Sequence, residues 1–236
     1  MNYPILFVSL GPGDPELITL KGIKILRSAD KIYCPATRGT DKIISRAMEL
    51  LNALEIDSST IFPFYLPMSK KRSGAIMAYD KLFNLVQMEY QAGKKIVIAV
   101  EGDAGFYSSI QYVYDRCLEK NIPVERIAGI PAFIAAGALS GIHVVKQDER
   151  MLVVPGTATV SELSDWIEQG RVIVIMKLPR CAEAIHMCVC RFADEMEFHY
   201  FENVGTSHEL YTNRPSDIIE KEFPYFSLLI IRPKEH

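Results

Sequence analysis

The sequence has no basic excess. Its 26 lysines and arginines face 29 aspartates and glutamates, a formal charge of -3. The electrostatic footprint of a nucleic-acid partner is therefore missing. No apolar stretch approaches the roughly 20 residues that a bilayer-crossing helix needs, so no membrane partner is expected. The apolar run at residues 5–10 has no basic region before it and no small-residue cleavage site after it. It reads as a first strand rather than a signal peptide. Five cysteines (Cys34, Cys117, Cys181, Cys188 and Cys190) are an odd number without framework spacing. That excludes a disulfide scaffold and fits a reducing, cytoplasmic compartment. Cys181, His186, Cys188 and Cys190 crowd one segment, but a C-x-C pair on a helix turns its thiols to different sides, and no partner C-x-x-C exists. Buried helix thiols are expected there, and no metal site. There is no G-x-x-x-x-G-K-[ST] string and no G-x-S-x-G. None of the five histidines stands in a recognisable pairing with Ser108 or Ser109, so no hydrolytic triad is readable. A cofactor that brings its own chemistry is the natural alternative.

What remains is an ordinary globular composition of 236 residues, 49% hydrophobic and 23% charged. That is enough for one large or two medium domains. The most informative stretch is Gly11-Pro12-Gly13-Asp14-Pro15-Glu16, which follows the first apolar run. Thr19 is placed to cap a helix through Arg27. Strand, glycine–proline loop and helix then follow in order, and ligands bind where such loops leave the carboxyl ends of strands. The loop is not a dinucleotide fingerprint, because Glu16 stands where the third glycine belongs. A plain structural turn is the competing reading.

Strands and helices alternate through the first half. Strands are expected at 31–34, ending at Pro35, at 61–64 on an edge because of Pro63, at 95–100 and at 124–127. Helices are expected at 40–54 with Ile43, Ala47, Leu50, Leu51 and Leu54 on one face, at 73–92 with Ile76, Tyr79, Leu82, Phe83 and Val86 on one face, and at 107–119. Gly93 closes the long one. This is a parallel α/β domain, residues 1–125. Residues 126–236 read as a second α/β domain with a mixed or antiparallel sheet. Its expected helices are 132–139, 160–169 and 181–192, and its expected strands 151–154, 172–176, 197–202, 209–212 and 227–231.

The run at 95–100 leads into Glu101-Gly102-Asp103-Ala104-Gly105-Phe106-Tyr107-Ser108. This is again a ligand-binding position, with Asp103 able to accept hydrogen bonds from a ligand or to cap the helix that follows. The segment 128–133 has the same character, with Ala132 and Phe133 opening a helix whose first N–H groups are free. Met176 ends an apolar strand, where a thioether can meet a flat ring or simply fill a core. Lys70, Lys71 and Arg72 are the densest basic cluster, suited to an acidic substrate or to solvent alone.

Taken together, these loops resemble the tetrapyrrole (corrin/porphyrin) methyltransferases that use S-adenosylmethionine, over essentially the whole chain. Residues 11–17 look like that family's opening loop, Gly102-Asp103-Ala104 like its Gly-Asp-Pro loop, and residues 129–133 like its interdomain cofactor segment. Within the family the chain is most similar to the precorrin-2 C-20 methyltransferases. The residues that carry this are Gly102-Asp103 followed by Tyr107-Ser108, the Pro67-Met68 loop, residues 129–133, and Asp148-Glu149-Arg150 running into residues 152–155. The resemblance implies a two-domain fold with the cofactor in the cleft between the domains, and a homodimer. It implies donor contacts at Gly102, Asp103, Ala104, Tyr107, Ser108, Ala132, Phe133 and Met176. Gly11, Pro12, Gly13, Asp14, Lys70, Lys71 and Arg72 are the candidates for substrate contact. Asp103, Asp14 and Glu101 are candidates for a general base by position alone. Ala104 departs from the family's proline and adds an N–H, Glu101 adds a carboxylate, and Ala132 lacks a hydroxyl often found there. Methylation of another ring carbon, as in uroporphyrinogen or precorrin-4 enzymes, and a non-catalytic tetrapyrrole- or nucleotide-binding module are the alternatives left open.

Overall fold

The first apolar run forms β1 (Ile5–Ser9). Ile5 and Phe7 pack into one core cluster, and Val8 and Leu10 into another. A parallel strand covered on both faces has no solvent side, which is why the run is apolar throughout. The computed structural model describes residues 3–38, 43–67 and 72–234, with backbone alone for Arg38 and Arg72. The chain divides into two compact units, Met1–Pro131 and Ala132–His236.

In the first unit β1 lies between two parallel neighbours, β5 (Ile96–Val100) and β6 (Val124–Ile127). On the far side of β5 comes β2 (Lys31–Arg38), which pairs in parallel with the edge strand β4 (Ile61–Tyr65). The short β3 (Ile43–Ile44) adds to the end of β2 antiparallel. Helices α1 (Leu20–Arg27) and α2 (Arg46–Ala53) belong to the cluster on one face. Helices α3 (Arg72–Gln91) and α4 (Gln111–Glu119) belong to the cluster on the other. The Thr19 hydroxyl caps α1 by accepting the Gly22 N–H at 3.1 Å.

Four sequence expectations need correction here. Strand β2 does not stop at Pro35 but runs on to Arg38. Its last β5 partner is at Tyr33, so Pro35 falls where β2 pairs with β4 alone, and a missing N–H is tolerated on a one-sided strand. The helix expected from residue 40 starts at Arg46, because the Ser45 hydroxyl accepts the Met48 N–H and fixes the first turn. Ile43 belongs to β3 and is exposed, while residues 40–42 lie outside the described residues. In α3 the buried stripe runs through Ala75, Tyr79, Leu82, Phe83 and Val86. Ile76 is outside that cluster and 36% exposed. Finally, α4 does not begin at residue 107. Tyr107 has φ 47°, a left-handed conformation that no helix contains, and residues 101–110 form a loop.

The second unit opens with α5 (Ala132–Ser140). Then come β7 (Met151–Pro155), α6 (Val160–Glu168), β8 (Val172–Met176), α7 (Ala182–Phe192), β9 (Met196–Glu202), β10 (Leu210–Thr212), α8 (Pro215–Ile219) and β11 (Ser227–Pro233). Among the described residues its sheet has the order β10-β9-β11-β8-β7. The β7–β8 pair is parallel and the rest are antiparallel, the mixed sheet that its short, turn-bounded runs suggest. Ile173, Ile175, Phe198, Tyr200, Leu229 and Ile231 face α6, α7 and α8 in one core. Of the cysteines expected to be buried on α7, Cys188 is buried and Cys190 is exposed. Two residues of helix turn about 200°, so the pair cannot share a face.

Candidate functional site

Parallel pairing puts the carboxyl ends of β1, β5 and β6 side by side, and their three loops are tied together there. The Gly11 N–H donates to the Gly102 carbonyl at 3.2 Å, and the Gly102 N–H donates back to Gly11 at 2.7 Å. Both residues have positive φ, +82° and +67°, the region that glycine enters without strain. A Cβ on Gly102 would meet nothing within 4 Å, so the backbone there faces open space.

Ser9 is the second tie. Its hydroxyl donates to the Ile127 carbonyl at 2.7 Å and accepts the Ala104 N–H at 2.8 Å. Ala104 is only 2% exposed, so the N–H it has in place of the family's proline is spoken for. Asp103 is the third tie. One carboxylate oxygen accepts the Gly105 N–H and the other the Gly129 N–H, each at 2.8 Å. Asp103 therefore caps no helix: α4 starts well beyond it and has no side-chain cap. A carboxylate has about four acceptor positions, so capacity remains after two bonds. Gly129 is forced to be glycine by contact, since a Cβ would lie 2.4 Å from the Ser9 Cβ and 2.8 Å from the Gly102 carbonyl.

The other candidates in this unit surround that knot. Asp14 accepts the Glu16 N–H at 2.8 Å and caps the short turn Pro15–Leu17, with Pro12 and Gly13 half-buried before it. Tyr107 is 42% exposed, its ring edge-on to Phe106, and Ser108 is half-buried in the same loop. Glu101 acts electrostatically on Arg46 and on the Cys34 thiol. Burial pushes that thiol up to about 12, with Ser45 opposing and Glu101 reinforcing the shift, so Cys34 offers no thiolate near neutral pH. Met68, Lys70 and Lys71 lie outside the described residues, and Arg72 is described only as the first residue of α3.

In the second unit Ala132 and Phe133 begin α5, and Phe133 is buried. Met176 is the last residue of β8, half-buried and in register with Pro155 and Leu228. The chain then turns sharply through Lys177 at φ 64°. Gly156 makes room for that turn, because a Cβ there would lie 2.0 Å from the Lys177 carbonyl. Ser9 and Gly156 escaped sequence reasoning. The available signals were a lone hydroxyl ending an apolar run and a Pro-Gly directly after one. Among the described residues no three His, Cys, Asp or Glu side chains gather into a metal-binding group, and no helix is long and apolar enough to cross a membrane.

The model of the tetrapyrrole (corrin/porphyrin) methylases matches residues 4–217. The chain belongs to this family. A precorrin-2 C(20)-methyltransferase from a Sinorhizobium species is 29% identical over 235 residues, covering 96% of this chain and 94% of that protein. A probable cobalt-precorrin-2 C(20)-methyltransferase of Methanocaldococcus jannaschii is 28% identical over 178 residues, 75% of this chain and 74% of the relative. The fold matches solved methyltransferases too. A cobalt precorrin-4 methyltransferase superposes with a TM-score of 0.71 at 17% identity, over 97% of this chain and 94% of its own. A uroporphyrin-III C-methyl transferase from Thermus thermophilus, complexed with S-adenyl homocysteine, gives 0.67 at 18% identity, over 98% and 97%.

Proposed function

We propose that this tetrapyrrole methylase transfers the methyl group of S-adenosylmethionine to carbon 20 of precorrin-2, or of cobalt-precorrin-2, in cobalamin biosynthesis. The observation that carries the reading is relatedness to C-20 enzymes along nearly the full length of both chains. The geometry is compatible with it. The open space over Gly102, the spare acceptor positions of Asp103 and the fixed loops around them fit a ligand with exposed polar groups. Gly102, Asp103, Ala104, Tyr107, Ser108, Ala132, Phe133 and Met176 are the proposed donor contacts. The donor, when bound, supplies an electrophilic methyl on a sulfonium sulfur.

The protein's task is alignment. Two well-oriented reactants can recover on the order of 7–11 kcal/mol of barrier. A loop held by three separate ties gives a donor little room to tilt. Gly11, Pro12, Gly13 and Asp14, with Lys70, Lys71 and Arg72, are the proposed contacts to the macrocycle. The chemistry is a displacement in which an electron-rich ring carbon forms the new C–C bond while the S–C pair returns to sulfur. The ring proton leaves afterwards, and Asp103, Asp14 or Glu101 is the proposed acceptor. A homodimer in the cytoplasm completes the reading.

Precorrin-2 incubated with donor carrying carbon-13 in its methyl group tests it. Carbon NMR of the product should show one new methyl at C-20. Label at a ring β-carbon, or none on precorrin-2 together with label on uroporphyrinogen III, would move the chain to a sister activity.

A further inference from the structure

Precorrin-2 is a polycarboxylate, and its site needs cations. The structure places one such cation beside the donor loop in a position that local preferences oppose. Arg46 is the first residue of α2. A positive charge there works against the helix dipole, which favours anions at its N-terminus. Arg46 is also half-buried, and burial lowers its pKa, an effect that Glu101 and then Glu49 counteract. A side chain held against both preferences is a candidate for a functional position.

Its location is set by backbone geometry. The Ser45 hydroxyl donates to the Pro35 carbonyl at 2.6 Å, which pins the start of α2 to the carboxyl end of β2. Strands β2 and β5 run parallel with Tyr33 level with Ile98. Pro35 lies two residues beyond Tyr33 on β2, and Glu101 lies three residues beyond Ile98, in the loop that leaves β5. Arg46 thus follows a residue bonded to Pro35, and Glu101 directly precedes Gly102, which is bridged to Gly11. The guanidinium, the extra carboxylate and the open glycine loop share one end of one sheet.

We propose that Arg46 is a substrate-binding residue whose guanidinium takes a carboxylate arm of the tetrapyrrole, with Glu101 as the positioning residue that aims it. The proposal rests on the tetrapyrrole reading above. Arginine suits the role because its planar fork binds a carboxylate through two parallel hydrogen bonds and its five donors serve two carboxylates at once. Lysine lacks the fork. The contact adds to any made by Lys70, Lys71 and Arg72.

The test compares wild type, Arg46→Ala and Arg46→Lys in steady-state methylation of precorrin-2, with calorimetry of S-adenosylhomocysteine and a thermal melt. Arg46→Ala should raise the substrate KM about tenfold or more, as loss of a charge-assisted pair does. Its kcat, donor affinity and melting temperature should stay close to wild type. Arg46→Lys should raise KM less, about threefold, because it keeps charge and loses the fork. Added salt should raise the wild-type KM more steeply than that of Arg46→Ala. An unchanged KM in both variants would overturn the proposal. So would a loss of donor affinity and melting temperature together, which would make Arg46 structural. If wild type itself fails to methylate precorrin-2 or any other tetrapyrrole, the substrate reading fails and this proposal with it. Turnover by wild type matched by Arg46→Ala removes the Arg46 role alone.

Discussion

Ser9 is a small polar residue at the end of an apolar strand, and its one hydroxyl serves two loops at once. Ser9→Ala strands the N–H of Ala104 and the carbonyl of Ile127. An unsatisfied buried group costs about 1–3 kcal/mol, and denaturant unfolding should show a loss of that order. S-adenosylhomocysteine affinity should fall with it, because the loop that Ser9 steadies is the proposed donor cradle. Gly129→Ala should do similar damage by the opposite route, pressing a methyl into Ser9 and Gly102, with an overpacking cost of about 1–3 kcal/mol. Full stability and full donor affinity in both variants would mean that the three loops do not depend on each other. None of these pairings is legible in the sequence. They join residues from three strands distant along the chain, and pattern reading sees neighbours in sequence alone. What was legible is that Gly11 and Gly102 each follow an apolar run and Gly129 a short strand.

At the scale of elements, the apolar runs and most short strands, β4, β6, β7 and β10 among them, agree with the sequence expectation within a residue, whereas the end of β2, the short β3 and two helix starts do not. β5 and β8 are apolar without a break because both of their faces are covered, and their limits match the runs within a residue. Helix starts were read too early at α2 and α4. In both cases apolar residues before the true start, Ile43 and Tyr107, mimic one more helical turn. The two-residue β3 and the one-turn α8 are too short to show a period. Strand β9 carries a further consequence. His199 is buried, its Nδ1 2.9 Å from the Tyr211 hydroxyl and its Nε2 3.2 Å from a Glu197 carboxylate oxygen. Burial lowers its pKa, and Glu197 only partly opposes this. The unfolded chain therefore binds the proton more readily than the folded one. The stability contributed by neutral His199 is present above the ordinary histidine pKa of about 6.5 and is lost as pH falls from there towards the lowered folded value. Between pH 7.5 and 5.5 the unfolding free energy of wild type should drop more than that of His199→Gln. Parallel pH profiles would show that His199 does not titrate differently on folding.

For the molecule as a whole, the cysteines give a compact check on both units. Cys34, Cys117, Cys181 and Cys188 are buried, with thiols pushed up to about 11 or 12 by burial, and Cys190 is exposed. A thiol reagent should label one cysteine per native chain, Cys190, and all five after denaturation. The same sample should sediment at twice 26.6 kDa if the homodimer is formed. Rapid labelling of several native thiols would contradict the packing of the cores, and a monomer would remove the dimer. The α/β class and the two different sheets were legible at this scale, because one half of the sequence alternates long runs and the other ends in short, turn-bounded ones. The proposed role of Arg46 was not, since it looks in sequence like any helix-surface arginine.

The pairing of β1 has a consequence for how the molecule comes into being. Leu6 pairs with Val97 and Ile5 with Val124, so the strand made early in synthesis has no partner until far more chain has left the ribosome. Such distant closure is slow, and an unpaired apolar strand is open to aggregation meanwhile. Ser9 needs Ile127, and Asp103 needs Gly129, before the loops are locked. The ties to Ile127 and Gly129 therefore close last, after those among Ser9, Gly11, Gly102 and Ala104. A nascent chain halted before Ile127 would carry both glycine loops without these last two ties, and so without the full frame of the proposed donor loop, while a few residues more complete it.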